Sequence, residues 1–133
     1  MLEVELLGGE RLGGELTEQD VRELCTACAL QLGVHDGHVA VEIVDASEIE
    51  ALNTRHRDRP EPTDVLSFPV DGPGPLAGGQ ERELGDIVIC PEHTTDLREA
   101  VVHGMLHLLG MDHERDDGEM LALQDELLRA RGR

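Results

Sequence analysis

The positions of hydrophobic and polar residues along the chain predict strands and helices in alternation. Residues 2–7 alternate between apolar and acidic side chains, which is the pattern of a half-buried strand. Apolar residues at helical spacing follow over residues 21–32, and Thr17 with Asp20 three positions later indicates the capped start of this helix. Residues 38–44 are rich in valine and isoleucine and predict a second strand.

The middle of the chain carries signals for a short helix and then a loop. Ser47 followed by Glu50 is the pattern of a capping box, so we predict a short helix from this point to about Thr54. Pro60 and Pro62 are unfavourable in a helix interior or a central strand, and they mark a loop. The first half of the chain is therefore predicted as strand, helix, strand, helix.

Two further strands and two further helices are predicted in the second half of the chain. Residues 65–68 form a short apolar run stopped by a proline, and residues 84–90 form a longer one. Between them, residues 71–83 are rich in glycine and proline, which predicts a mobile loop. Residues 95–109 and 116–130 have helical spacing, and the first of these is apolar on all sides, as in a buried central helix.

These elements and the length of the chain define the expected fold. The chain has 133 residues, which is the size of one domain, so we expect a single domain over residues 1–133. Strands and helices interleave without an internal repeat. We therefore predict an α+β fold in which a small mixed sheet of about four strands packs with about four helices.

Composition narrows the expected location of the protein. Hydrophobic residues make up 39% of the chain and charged residues 30%, which are values of a globular protein. Three cysteines without regular spacing fit a reducing compartment better than a disulfide framework. The chain shows no signal-peptide pattern, and no apolar run approaches the roughly 18 residues of a membrane span. We expect a cytoplasmic protein with no membrane partner.

The charge of the chain bears on its partners. The sequence has 29 acidic residues against 11 basic ones, all of them arginine, and a formal net charge of −18. Such a surface repels phosphate backbones, so a nucleic-acid ligand requires a local positive patch or a metal ion. With Phe68 as the sole Phe, Tyr or Trp residue, the chain lacks platforms for stacking bases. Sequence-specific base reading is disfavoured, and we expect no DNA partner.

Three histidines carry the strongest chemical signal in the sequence. His103 and His107 are four positions apart, a spacing that places both imidazoles on one face of a helix. Gly110 lets the chain leave the helix, so that His113 can return as a third ligand of one cation. Burying three imidazoles on an apolar helix is costly unless something coordinates them. We therefore predict a metal site on the buried central helix, held by these three histidines.

The predicted metal site has the features of a catalytic centre. Three protein ligands leave one coordination position open for water, whereas a structural zinc site would be closed by a fourth side chain. The spacing also matches the metzincin proteases, but Gly104 stands where those enzymes carry the glutamate that activates water. This glycine argues against peptide hydrolysis. Three imidazoles suit Zn²⁺ and also nickel, copper or iron, so the identity of the metal stays open.

The segment from His103 to His113 resembles the signature of a known family, the YbeY-type endoribonucleases, also called ribosomal RNA maturation factors. The family's H-G-x-L-H-L-x-G-Y-D-H motif reads HGMLHLLGMDH here, with Met111 in place of the tyrosine. Residues 52–57 and 62–69 are similar to the family's L-N-x-x-Y-R and P-T-D-V-L-S-F-P blocks, with His56 in place of a tyrosine. The family's L-G-D-I-V-I strand is matched as well, at residues 84–89.

The resemblance implies a single-metal hydrolase, usually zinc-dependent, that cleaves single-stranded RNA in ribosomal RNA maturation and ribosome quality control. It implies His103, His107 and His113 as the metal ligands, with Zn²⁺ as the expected cofactor and another divalent transition metal as the alternative. It also implies Arg57 as the catalytic basic residue, which we assign to holding the scissile phosphate or its transition-state charge.

The residues around Arg57 support a role in binding RNA. Arg55, Arg57 and Arg59 concentrate positive charge within five residues, where an acidic protein needs it to attract phosphate. We predict Arg55, Arg59 and Ser67 as substrate-binding residues, the alternative for the arginines being a solvated loop. The segment between Ile89 and His103 is shorter than we expect for the family, so substrate contacts made there in relatives can be absent.

Two other functions are compatible with the sequence. One is a ribosome-assembly protein that binds RNA or a ribosomal protein, with the metal stabilising the fold, and the net charge favours a basic protein partner. The other is a metal hydrolase of another substrate class. The open coordination position favours the nuclease. The residues do not decide the cleavage site, the general base, the oligomeric state, or whether water or the ribose 2′-hydroxyl attacks.

Overall fold

The computed structural model describes residues 1–59, 61 and 63–131. Pro60 and Pro62, on which the predicted loop rests, lie outside the described residues. In chain order the strands and helices are β1 (Leu2–Leu7), α1 (Glu18–Gln31), β2 (Gly37–Ile43), α2 (Ala46–Arg57), β3 (Val65–Pro69), β4 (Glu83–Ile89), α3 (Leu97–Leu108) and α4 (Glu119–Ala130). Short 3-10 turns precede α1, at Gly9–Leu12, and α3, at Pro91–His93. The predicted order of strands and helices is confirmed.

The strands form one mixed sheet in the order β1-β2-β4-β3. Strands β1, β2 and β4 run parallel. Helix α1 returns the chain between β1 and β2, and strand β3 returns it between β2 and β4. Strand β3 pairs with β4 in the antiparallel direction at one edge. A four-stranded mixed sheet packed with four helices confirms the predicted α+β fold. No helix in the described part of the chain is long and apolar enough to cross a membrane.

Helix α3 lies at the centre of the main core, on one face of the sheet. It contacts β3 and β4 of the sheet and both α1 and α4. Its buried residues are Leu97, Ala100, Val101, Val102, Gly104, Met105, Leu106 and Leu108. Helix α2 lies against part of the opposite face, where Ile49 packs with Leu66 and Val88. The prediction of a buried central helix is confirmed.

The helix starts agree only in part with the sequence signals. The Thr17 hydroxyl accepts a hydrogen bond from the Asp20 amide, and the Asp20 carboxylate accepts one from the Thr17 amide, both at 3.0 Å, as predicted. The predicted cap at Ser47 is wrong. Asp45 caps α2 instead, because it directly precedes the helix and its carboxylate accepts a hydrogen bond from the Glu48 amide at 2.8 Å. The helix is also longer than predicted and ends at Arg57.

The end of α3 confirms the role predicted for Gly110. The helix ends at Leu108, and Gly110 has φ 94°, the left-handed conformation that turns the chain out of a helix. Helix α4 begins three residues later than predicted. The Asp116 carboxylate accepts hydrogen bonds from the amides of Gly118 at 2.8 Å and Met120 at 3.0 Å, so it closes a turn before the helix starts.

The glycine- and proline-rich segment before β4 is irregular, as predicted, and its two ends are tied together. The Arg82 guanidinium donates hydrogen bonds to the carbonyls of Gly72 and Gly74, the second at 2.9 Å. The Glu83 amide donates to the Asp71 carboxylate at 2.7 Å. The mobility of this segment stays a prediction.

Candidate metal centre

The three predicted ligands lie together at the end of α3. His103 and His107 occupy one face of the helix, and His113 lies in the turn that follows it. One ligand atom from each of the three lies within 4.8 Å of the others, and their ring centroids are 4.8 to 5.3 Å apart. Nitrogens this close can enter the coordination shell of a single cation after small side-chain adjustments.

Hydrogen bonds orient two of the three imidazoles. Nδ1 of His103 lies 2.8 Å from Oε1 of Gln124, and Nδ1 of His107 lies 3.0 Å from the carbonyl oxygen of Met111. A carbonyl oxygen accepts hydrogen bonds and donates none, so each Nδ1 carries the proton. Each Nε2 then has a free lone pair, which is the form of imidazole that binds a metal ion.

The remaining imidazole and the electrostatics also fit a metal ion. Nδ1 of His113 is buried and has no hydrogen-bond partner among the described residues, although buried polar atoms are nearly always paired. Burial lowers the pKa of His107, and the neighbouring His103 and His113 lower this pKa further. A lowered pKa keeps the imidazole neutral, as coordination requires. Three imidazoles therefore form a donor set that suits a divalent transition metal.

Close packing explains the glycine between the first two ligands. A Cβ atom at Gly104 would lie 2.6 Å from Cγ2 of Ile87 in β4. Position 104 thus faces the sheet, and α3 approaches β4 too closely for a side chain there. A glutamate at this position would be directed away from the cleft, so position 104 could not supply the base that metzincin proteases carry there.

The histidines open onto a cleft of about 730 Å³. Arg57, the last residue of α2, and Ser67 of β3 line the same cleft. Arg55 and Arg59 are exposed and do not line the cleft. Within the described part of the chain, none of these three arginines forms an ion pair with a carboxylate. The Ser67 hydroxyl donates a hydrogen bond to the Gly104 carbonyl at 3.2 Å.

Sequence reasoning missed several cleft residues. The carboxylates of Asp64, Asp96 and Glu99 line the cleft beside those of Asp112 and Glu114, so Arg57 carries positive charge in an acidic setting. The short segment before His103 supplies His93, Thr94 and Thr95 to the lining, despite its length. Gln124 was also missed, although a signal existed: it is a polar residue within the buried stripe of α4 that includes Met120 and Leu127.

Comparison with known proteins identifies the family. The sequence profile of the family described as Endoribonuclease YbeY matches residues 11–132. The chain belongs to the YbeY family. A YbeY protein named as an endoribonuclease in Rubrobacter xylanophilus is 40% identical, over 98% of this chain and 97% of that protein. One from Streptomyces coelicolor with the same name is 38% identical, over 84% of this chain and 81% of its own length.

The fold is also similar to a solved structure. The solution structure of TM1509 from Thermotoga maritima superposes with a TM-score of 0.57 at 27% identity, covering 97% of this chain and 87% of that one. The resemblance drawn from the histidine motif is therefore confirmed, as are the fold and the assignment to a family of endoribonucleases involved in ribosomal RNA maturation.

Proposed function

We propose that this YbeY protein is a zinc-dependent endoribonuclease that cleaves single-stranded RNA during ribosomal RNA maturation and ribosome quality control. The observation that carries the proposal is the cleft itself, onto which His103, His107 and His113 open together with Arg57. Residues 1–133 would act as one metal hydrolase domain. When bound, a divalent ion at the histidines supplies a Lewis acid and lowers the pKa of the water it coordinates towards about 7.

Arg57 binds the scissile phosphate in this proposal. Its guanidinium lines the cleft and has no carboxylate partner among the described residues, so its donors are available for a ligand. A guanidinium can donate two parallel hydrogen bonds to phosphate oxygens, and it remains charged at any physiological pH. Arg57 would therefore hold the phosphate and stabilise the negative charge that develops on it as the bond to the leaving oxygen breaks.

The other predicted substrate contacts have different positions. Arg55 and Arg59 lie outside the cleft, so we propose that they attract the RNA strand on either side of the cleaved bond. The proton of the Ser67 hydroxyl is engaged with the Gly104 carbonyl, but the Ser67 oxygen can still accept a hydrogen bond. We propose that it accepts one from a ribose hydroxyl of the bound RNA.

We further propose a cytoplasmic location and a second class of partner. Cys25, Cys28 and Cys90 are all free, which suits a reducing compartment. The net charge of −18 favours contact with basic ribosomal proteins. Such contacts would serve the nuclease by bringing it to its RNA, and they are also what a purely RNA- or protein-binding assembly factor would need.

Cleavage of a short single-stranded RNA by the purified protein tests the proposal. The zinc-loaded wild type should cleave it, and a His107→Ala variant prepared in parallel should not, which controls for contaminating ribonuclease. Equal cleavage by both proteins would assign the activity to a contaminant. Lack of cleavage by a wild type that holds zinc would reject the nuclease and favour the assembly factor.

A further inference from the structure

Gln124 is an unusual residue for its position in α4. It is only 7% exposed. Among the described residues, Gln124 and Asn53 are the two polar residues that are buried. The rest of the buried stripe of α4 is apolar, formed by Met120, Leu127 and Leu128. A buried amide is unfavourable unless its polar atoms form hydrogen bonds, so a contact made by Gln124 should account for its presence.

That contact is to a predicted metal ligand. Oε1 of Gln124 accepts a hydrogen bond from Nδ1 of His103 at 2.8 Å. The two residues are 21 positions apart in the sequence, and their hydrogen bond joins α4 to α3. The other two imidazoles are held differently. His107 donates to the backbone carbonyl of Met111, and Nδ1 of His113 has no partner in the described part of the chain. Gln124 therefore provides the side-chain hydrogen bond that fixes an imidazole of this centre.

We propose that Gln124 is a positioning residue for the metal centre: it holds His103 in the ring orientation and tautomer in which Nε2 binds the ion. The inference rests on the metal site of the proposed function. A hydrogen bond from the distal ring nitrogen orients a ligating histidine and raises its basicity, and removing such a partner commonly weakens metal binding about 10- to 100-fold. A neutral amide does this without adding negative charge next to the phosphate-binding cleft.

The turn before α4 explains how the contact is placed. The Asp116 carboxylate binds the amides of Gly118 and Met120, which fixes where α4 begins after the chain has passed His113. Helix α4 then packs on α3, with Gln124 beside His103. The chain thus continues from the third ligand directly into the helix that supports the first.

Metal affinity measured without any RNA tests this inference. We would compare wild type, Gln124→Met, Gln124→Glu and a matched control, Glu126→Met, which places a methionine on the same helix at an exposed position. Zn²⁺ affinity would be measured at one pH by competition with a chromophoric chelator, and Co²⁺ loading would report ligand geometry through its visible absorption bands. Circular dichroism of the metal-free proteins would establish that each variant is folded.

We expect Gln124→Met to bind Zn²⁺ about 10- to 100-fold more weakly, Glu126→Met to equal wild type, and Gln124→Glu to bind at least as tightly with shifted Co²⁺ bands. A folded Gln124→Met that binds Zn²⁺ like wild type would reduce Gln124 to a packing residue and overturn the inference. Should that variant not fold, Gln124→Glu decides, because Zn²⁺ affinity and a Co²⁺ spectrum identical to wild type would overturn it. A wild type that binds neither ion would instead overturn the metal site itself.

Discussion

Histidines in the cleft and on the opposite face of the sheet lie in contrasting environments. In the cleft, burial and the neighbouring imidazoles lower the pKa of His107. On the face of the sheet away from α3, burial acts to lower the pKa of His38, but hydrogen bonds and charge from Glu83 and Glu5 outweigh it and raise this pKa. The His38 ring nitrogens lie 2.8 Å from Glu83 and 3.2 Å from Glu5.

The opposite pKa shifts show that the surroundings of an imidazole determine its role. In the cleft, the rings of His103 and His107 have their Nδ1 atoms held by oxygens, which directs each Nε2 towards a cation. The ring of His38 instead serves as a countercharge for an acidic surface, where burial and the surrounding carboxylates raise the pKa values of Glu42 and Asp86. A histidine count alone would not separate these roles, because only the neighbours decide whether a ring offers a lone pair or a positive charge.

The largest expected effect is on metal binding, and it separates the two groups of histidines directly. His107→Ala removes one of the three proposed ligands, so its Zn²⁺ affinity should fall by more than about 100-fold, beyond the usual effect of losing a residue that only supports a ligand. His38→Ala should keep the wild-type affinity. Elemental analysis after dialysis would measure the Zn²⁺ bound per chain, and loss of Zn²⁺ from His38→Ala would place metal binding outside the cleft.

The next effect concerns the arginines inside and outside the cleft. Arg57→Ala should lower kcat for RNA cleavage by about 10²- to 10³-fold while leaving bound Zn²⁺ unchanged, because it removes donors to the developing charge and no metal ligand. Arg55→Ala is the matched control and should mainly raise KM, since its contribution is long-range attraction. Steady-state kinetics on one RNA would measure both. Equal losses in the two variants would reject the special role of Arg57.

Much of this fold and site could be predicted because local signals agreed with the tertiary structure. The spacing of His103 and His107 matches the period of a helix, and Gly110 ends that helix, so the sequence alone was enough to place both histidines on one face. The proposed role of Arg57 came only from the family motif, since no local pattern distinguishes this residue from Arg55.

Other features depended on contacts between distant segments. The hydrogen bond of Gln124 joins α3 to α4, and the tight fit of Gly104 depends on Ile87 in another strand. The true cap of α2 was missed for a different reason, because Asp45 and Ser47 are both good capping residues and only the end of β2 decides between them.

A smaller effect, on stability, is expected where α3 packs against the sheet. Gly104→Ala places a Cβ atom 2.6 Å from Ile87, so it should lower the free energy of unfolding by about 1–3 kcal/mol through overpacking. Gly78→Ala is a suitable control, since a Cβ atom there would meet nothing within 4 Å. Urea denaturation of the metal-free variants would measure the change. An unaltered stability in Gly104→Ala would mean that α3 can move away from β4 at little cost.

The smallest effect is the pH dependence contributed by His38. The pKa of His38 is raised in the folded protein, so protonation of His38 stabilises the fold. This stabilisation is complete at pH values below the pKa of the unfolded chain, about 6.5. It is lost as the pH rises through the pKa of His38 in the folded protein. The side chain is 35% exposed, which limits the contribution to less than about 1 kcal/mol.

The free energy of unfolding of wild type should therefore exceed that of His38→Gln most at pH 6, and the excess should shrink between pH 6.5 and 8.5. Urea titrations at a series of pH values would measure it, with His35→Gln as a control for a histidine to which we assign no carboxylate pair. An excess that grows with pH would reverse the sign and show that folding lowers the pKa of His38, as it lowers that of His107.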